Sequence, residues 1–355
     1  MADSTVVIAC HDPARPLKRA VASVLRSKAA LPLVVAHNLN SAVLRKELGK
    51  LAKHCRIIEC RDGIHSPAGP FNAGLAAAET EFVAIQGSDD VLEAGAVEAW
   101  ERLATRFSAD MVLTRLHRGS KRRPIHAPPV RPWLCGPADF VRDRLYYRSA
   151  PLGLMRTKTL RDLGLKMTAR LAVGEDIAFS MRLYSEGRVA VQRRGPGYLI
   201  GEDGPARVTM DPRPLENELA HIPDLLSRPW IHQWSPVASQ GVAIKTLRIH
   251  IFGCLDTRPQ SWWDDSAHEG QREKLAGLAR EVLDFAPDCV RAFSRADTAL
   301  LGAILDPTVP TARMLELAQA RRHFLSPAAL LPAHLGGLTH REGTLRFSTA
   351  SFLVR

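Results

Sequence analysis

Five short apolar runs, each followed by a polar turn, constrain this chain more than any other feature it has. The runs are TVVIAC (5–10), LPLVVA (31–36), CRIIEC (55–60), EFVAIQ (81–86) and DMVLT (110–114). Between them lie segments with helical periodicity. In PLKRAVASVLRS, Leu17, Val21, Val24 and Leu25 share one face and Pro16 suits a first turn. SAVLRKELGKLAKH (41–54), FNAGLAAAE and residues 93–107 read the same way, the last with Val97, Trp100, Leu103 and Phe107. Strands separated by helices of this length predict an α/β fold: a doubly wound, mostly parallel sheet with helices on both faces. Ligands of such sheets bind outside the carboxyl ends of the strands. The turns HDPAR, HNLNS, RDGIHS and GSDD all fall there.

The last of these turns sets Asp89 beside Asp90. One acid in a turn is ordinary, because its side chain hydrogen-bonds nearby backbone. Two adjacent carboxylates repel unless a cation sits near them, so a turn and a metal site both stand as readings. Glu175 and Asp176, in GEDIAFSMRLYSEG, open a helix whose apolar face is Ile177, Met181 and Tyr184. Acids at a helix start are favoured by the dipole and can cap free N–H groups, so a cap and a functional carboxylate are again both open.

Net charge is +11, and it is unevenly spread: residues 1–209 carry 32 Lys and Arg against 21 Asp and Glu, the remainder 16 of each. The densest patch is RLHRGSKRRPIHAPPVRPW (115–133), with Arg115, Arg118, Lys121, Arg122, Arg123 and Arg131 and no acid between Asp110 and Asp139. Such a patch favours anionic partners. It lacks interleaved aromatics before Trp133 and sits in no recognisable nucleic-acid module, which argues against nucleic acid. No apolar run reaches the roughly 18–20 residues that span a bilayer, and no basic segment precedes the first apolar run as in a signal peptide. The six cysteines are scattered without a CxxC pair, as in a reducing compartment. The expectation is a cytoplasmic protein, compatible with peripheral association at the inner face of the membrane and with an oligomer.

From about residue 210 the pattern changes to helical periodicity without strands, as in GVAIKTLRIHIFGCL and HEGQREKLAGLAREVLDF. The predicted organisation is an α/β domain over 1–209, an all-helical region over 210–335 and a β-like tail over 336–355. The tail, THREGTLRFSTASFLVR, alternates around a Gly turn and suggests a hairpin or the start of a further domain.

Three pieces together, VVIACHDPARPLKRAVASVL, PFNAGLAAAETEFVAIQGSDD and GEDIAFSMRLYSEG, resemble glycosyltransferase family 2 in order and spacing, over about residues 5–209. The helical region more loosely resembles the accessory part of bacterial members that build cell-surface glycopolymers. The resemblance implies a GT-A fold and an inverting transfer from a nucleotide-diphosphate sugar, a UDP-sugar first, to a hydroxyl of an anionic glycan or polyol-phosphate acceptor. It implies Asp176 as the general base with Glu175 in support, and a Mn²⁺ or Mg²⁺ ion held by Asp89 and Asp90. Donor contacts would come from Ala9, His11, Asn38, Asn72, Ser88, Arg207 and Thr209. Arg118, Arg122 and Arg123 would meet the acceptor. The chain departs from the family at Gly87, where the first acid of Asp-x-Asp is absent, at His37-Asn38-Leu39-Asn40, where an acidic turn is usual, and at Phe71, where Arg commonly precedes Asn72. These departures motivate an alternative, a nucleotide-sugar-binding module without catalysis. A sugar-phosphate nucleotidyltransferase is a further alternative, but CHDPARP lacks the Gly-rich phosphate loop such enzymes carry.

Overall fold

The computed structural model describes residues 3–203 and 212–353, which divide into two compact units. The first comprises 1–127, 133–139 and 148–207; the second comprises 128–132, 140–147 and 208–355. The first unit runs β1 (Ser4–Cys10), α1 (Leu17–Leu25), β2 (Ala30–His37), α2 (Ser41–Leu48), β3 (Arg56–Cys60), α3 (Ala68–Ala77), β4 (Phe82–Gly87) and β5 (Val91–Leu92). It continues with α4 (Ala96–Phe107), β6 (Met111–Leu113), β7 (Leu116–Arg118), β8 (Arg123–Ile125), β9 (Gly153–Arg156), α5 (Thr157–Asp162), α6 (Ile177–Glu186), β10 (Val189–Val191) and β11 (Tyr198–Ile200).

Seven strands form the main sheet in the order β10-β6-β9-β4-β1-β2-β3, parallel throughout except for the pairings of β9. Val6, Val7 and Ile8 are wholly buried, as a central strand covered on both faces requires. The five apolar runs became β1, β2, β3, β4 and β6. A second sheet, β5-β11-β7-β8, was not foreseen: the basic patch over 115–133 contains the β7–β8 ribbon. Three-residue strands carry too little alternation to be seen in a sequence.

The second unit is helical in its long continuous part, around a core that includes Leu247, Phe252, Leu275, Phe293 and Leu300. Two short pieces from within the first 150 residues belong to it as well, so the predicted boundary near 209 is incomplete. The reason is aromatic packing: Phe140 lies against Tyr146 and Trp234, and Tyr147 against Phe347. The β-like tail is corrected, since Thr344–Leu353 is an α-helix. Glu342 is buried under Arg144 and Tyr146 just ahead of it, and Phe347 packs on Tyr147, so tertiary anchoring overrides the alternating pattern.

Candidate active site at the carboxyl edge of the sheet

The parallel strands β1, β2, β3 and β4 deliver their polar turns to one edge. Register aligns Ala9 with Val35 on one side and with Gly87 on the other. Beyond them come His11 and Asp12, then His37 and Asn38, then Asp62, and finally Ser88, Asp89 and Asp90.

The two acids of the GSDD turn do different work. Asp90 is a structural anchor. Its Oδ2 accepts from the Tyr198 hydroxyl at 2.5 Å and its Oδ1 from the Gly201 amide at 2.8 Å. Burial pushes its carboxyl up, and the Tyr198 hydrogen bond opposes that shift. Both oxygens are thereby used by the protein, which removes Asp90 from the expected metal ligands. Asp89 is instead paired with Arg15, whose Nη2 lies 2.6 Å from Asp89 Oδ2, while Arg15 Nε donates to Ser88 Oγ at 2.9 Å. One helical turn on, Arg19 Nη2 donates to the Asp89 carbonyl at 2.6 Å and to Asp203 Oδ1 at 2.7 Å. Neither arginine stood out in the sequence; their i, i+4 spacing across the start of α1 was the available signal.

Gly87 is enforced by this arrangement. A Cβ there would stand 2.5 Å from Asp90 Oδ2 and 3.2 Å from Asp89 Oδ1. An aspartate at that position would meet both carboxylates. A resident divalent cation does not fit these residues: Asp90 is spent, Gly87 supplies nothing, and Asp89 already carries a guanidinium. Among the described residues no group of three or more His, Cys, Asp and Glu side chains is placed to hold a metal ion. One carboxylate falls well short of the near-octahedral oxygen set that Mg²⁺ demands.

At the β2 and β3 ends, buried His37 places Nε2 3.0 Å from Asp62 Oδ1. Asn38, in the left-handed region at φ 56°, reaches His37 Nε2 with its amide at 3.1 Å and accepts from the Gly63 N–H at 3.0 Å. The Asp62 carboxyl bears a burial cost, but the Ile64 amide and the His37 ring hold it below the usual range. Asp62 was missed in the sequence because nothing in RDGIHS marks it out. His11 is exposed, and partial loss of solvent and then the Arg15 charge lower its imidazole below the ordinary value.

Asn72 is committed to backbone: its amide donates to Met167 O at 2.9 Å and accepts from Met167 N at 2.8 Å. Ser66 adds a hydrogen bond to Leu171 O at 2.6 Å. Together they fasten the segment that leads into α6. There Gly174 adopts φ 76°, and Glu175 and Asp176 stand at the head of the helix. Asp176 occupies the N-cap position without a side-chain capping bond, so the capping explanation fails. Glu175 is partly buried; loss of solvent and then the neighbouring Asp176 charge push its carboxyl up to about 8.

The basic ribbon is less free than its sequence suggests. Arg122 pairs with Glu93, Arg115 Nη1 bonds Gly195 O at 2.8 Å, and Arg131 is clamped on Asp143. Arg118, Lys121 and Arg123 are exposed. Arg207 and Thr209 lie outside the described residues.

No family model matches the chain, and no curated protein matches it either. Solved structures do. The crystal structure of S. aureus TarS 1–349 in complex with UDP-GlcNAc is similar at a TM-score of 0.67, with 15% identity and 90% of each chain covered. The same protein in complex with UDP gives 0.62 at 14% identity, again over 90% of each chain. A longer S. aureus TarS structure gives 0.65 at 13% identity, covering 89% of this chain and 55% of that one.

The chain has the GT-A fold. The α/β class, the mostly parallel sheet and the helical C-terminal region all stand as expected. No helix among the described residues is long and apolar enough to cross a membrane.

Proposed function

We propose that this protein is an inverting glycosyltransferase that moves a sugar from a nucleoside diphosphate donor to a hydroxyl of an anionic acceptor. One arrangement carries the reading: a GT-A fold in which two adjacent carboxylates, Glu175 and Asp176, stand at the head of α6. The acceptor oxygen attacks the anomeric carbon from the face opposite the leaving group, and the bond from that carbon to the phosphate oxygen breaks. The electron pair departs on the nucleoside diphosphate, and the hydroxyl proton passes to Asp176 as general base. Glu175, kept protonated near neutral pH by its surroundings, can donate a hydrogen bond to Asp176 or to the acceptor. It also avoids a second negative charge beside the base.

UDP-GlcNAc is the first donor to test, because it is bound in the similar TarS structure. Ala9, His11, Asn38 and Ser88 line the proposed donor side. Arg118, Lys121 and Arg123 supply exposed charge for an acceptor bearing phosphate or carboxylate, such as a cell-wall or capsular glycopolymer. The proposed setting is the cytoplasm or the inner face of the membrane. A radiolabelled transfer assay with UDP-GlcNAc and a panel of anionic glycopolymers tests the reading. Donor binding without transfer or donor hydrolysis would instead favour the silent binding module, which Gly87 and the His37–Asn38–Asp62 network already motivate.

A further inference from the structure

The site that should meet a diphosphate is short of metal ligands and already holds a fixed cation. Arg15 is gripped on two of its three nitrogens: Nε by Ser88 and Nη2 by Asp89. Both members of the ion pair are largely buried, with side chains 12% and 11% exposed. A guanidinium held this firmly loses little freedom when it binds something else. Its third nitrogen, Nη1, has no partner among the described residues and is not sealed off from solvent. Two N–H donors therefore remain, at the carboxyl end of β4 where ligands of such sheets bind. Arg19 fixes the Asp89 backbone from behind, and Asp90, bound to Tyr198 and Gly201, fixes the rest of the turn. Ser88 and Asp89 thus hold Arg15 from a turn that is itself held in place. A divalent ion at Asp89 would have to compete with a guanidinium that already neutralises that carboxylate, and Gly87 cannot supply a second acid without striking Asp90.

We propose that Arg15 is the cation that meets the donor diphosphate, with Asp89 and Ser88 as its positioning residues, and that diphosphate binding needs no divalent ion. The proposal rests on the reading of this edge as a nucleoside diphosphate site. Planar guanidinium donors match phosphate oxygens, and their charge-assisted hydrogen bonds are among the stronger ones.

Calorimetry on the full chain separates the outcomes. UDP, GDP, ADP, CDP and dTDP are each titrated in EDTA and again in Mn²⁺. The expected result is at least one ligand whose affinity differs less than about threefold between the two conditions. For that ligand, Arg15→Gln should weaken binding about 10- to 100-fold, the range for losing hydrogen bonds to a charged group. Arg15→Lys, which keeps the charge but not the fork, should recover part of the loss, and Asp89→Asn should weaken binding less than Arg15→Gln. Circular dichroism on each variant confirms that it folds. Binding lost in EDTA, or unaffected by Arg15→Gln in a folded variant, overturns the proposal while leaving the donor site standing. Failure of every diphosphate in both conditions overturns the donor-site reading and this proposal with it.

Discussion

Each unit of the protein buries charge, but the two do it differently. In the second unit Asp297 accepts from Arg321 at 2.6 Å through Oδ1 and from Arg248 at 3.0 Å through Oδ2. Arg248 goes on to the carbonyls of Glu342 and Ala292, and the Glu342 carboxylate takes Arg144 and Tyr146. The Asp297 carboxyl bears a burial cost that the two arginines outweigh, so it lies below the usual range. In the first unit, Arg15 keeps an unused nitrogen, and Asp176 stands at the head of α6 with no side-chain bond to the helix amides. Where buried charges use up one another's hydrogen bonds, the arrangement holds structure together. Where a donor is left over at a strand edge, it points to a ligand.

The largest effect expected from this contrast is catalytic. Asp176→Asn should melt near the wild-type temperature and still bind nucleotide, while kcat falls about 10²- to 10⁴-fold, the usual range for losing a positioned base. Near-normal kcat would end the distinction for Asp176. Next comes the closed network. Asp297→Ala leaves Arg248 and Arg321 without their shared carboxylate and should cost about 3–5 kcal/mol in chemical denaturation, as expected when one partner of a buried ion pair is removed. A loss below about 1 kcal/mol would mean that this network is not what holds its unit together.

The pH dependence of Glu175 sharpens the comparison. Its carboxyl is raised when folded, so the folded state holds the proton more tightly than the unfolded chain does. The stability this group contributes is complete below the unfolded value near 4.5 and declines as pH rises toward about 8. Glu175→Gln should therefore gain melting temperature relative to wild type between pH 5 and pH 8. A constant difference across that window would show that Glu175 is not held protonated. The smallest effect belongs to the exposed ribbon. Reversing Arg118 and Arg123 should raise the acceptor KM a few-fold at low salt and less at high salt, since exposed pairs contribute about 0.2–1 kcal/mol and are screened over about 8 Å at physiological ionic strength. A KM indifferent to both changes would leave the ribbon as solvated surface.

Much of this molecule was legible before its structure. Five apolar runs predicted β1 to β4 and β6, and the same reasoning placed the polar turns on one edge. GSDD and GED stood out because adjacent carboxylates are costly to place together without a reason. The tail misled because Leu345, Phe347, Thr349 and Ser351 alternate as a strand would, while Glu342 and Phe347 are anchored to partners about 200 residues earlier.

The class of fold follows from the lengths and periods of the apolar segments, because those local patterns decide which faces must be buried. What the carboxylates do was set by folding. Asp89 and Asp90 are neighbours in the chain and identical in type. One meets Arg15 from the start of α1, 74 positions away, and the other meets Tyr198 from a strand 108 positions on. The role of a carboxylate follows from what donates to it, and such donors come from residues that only folding brings near.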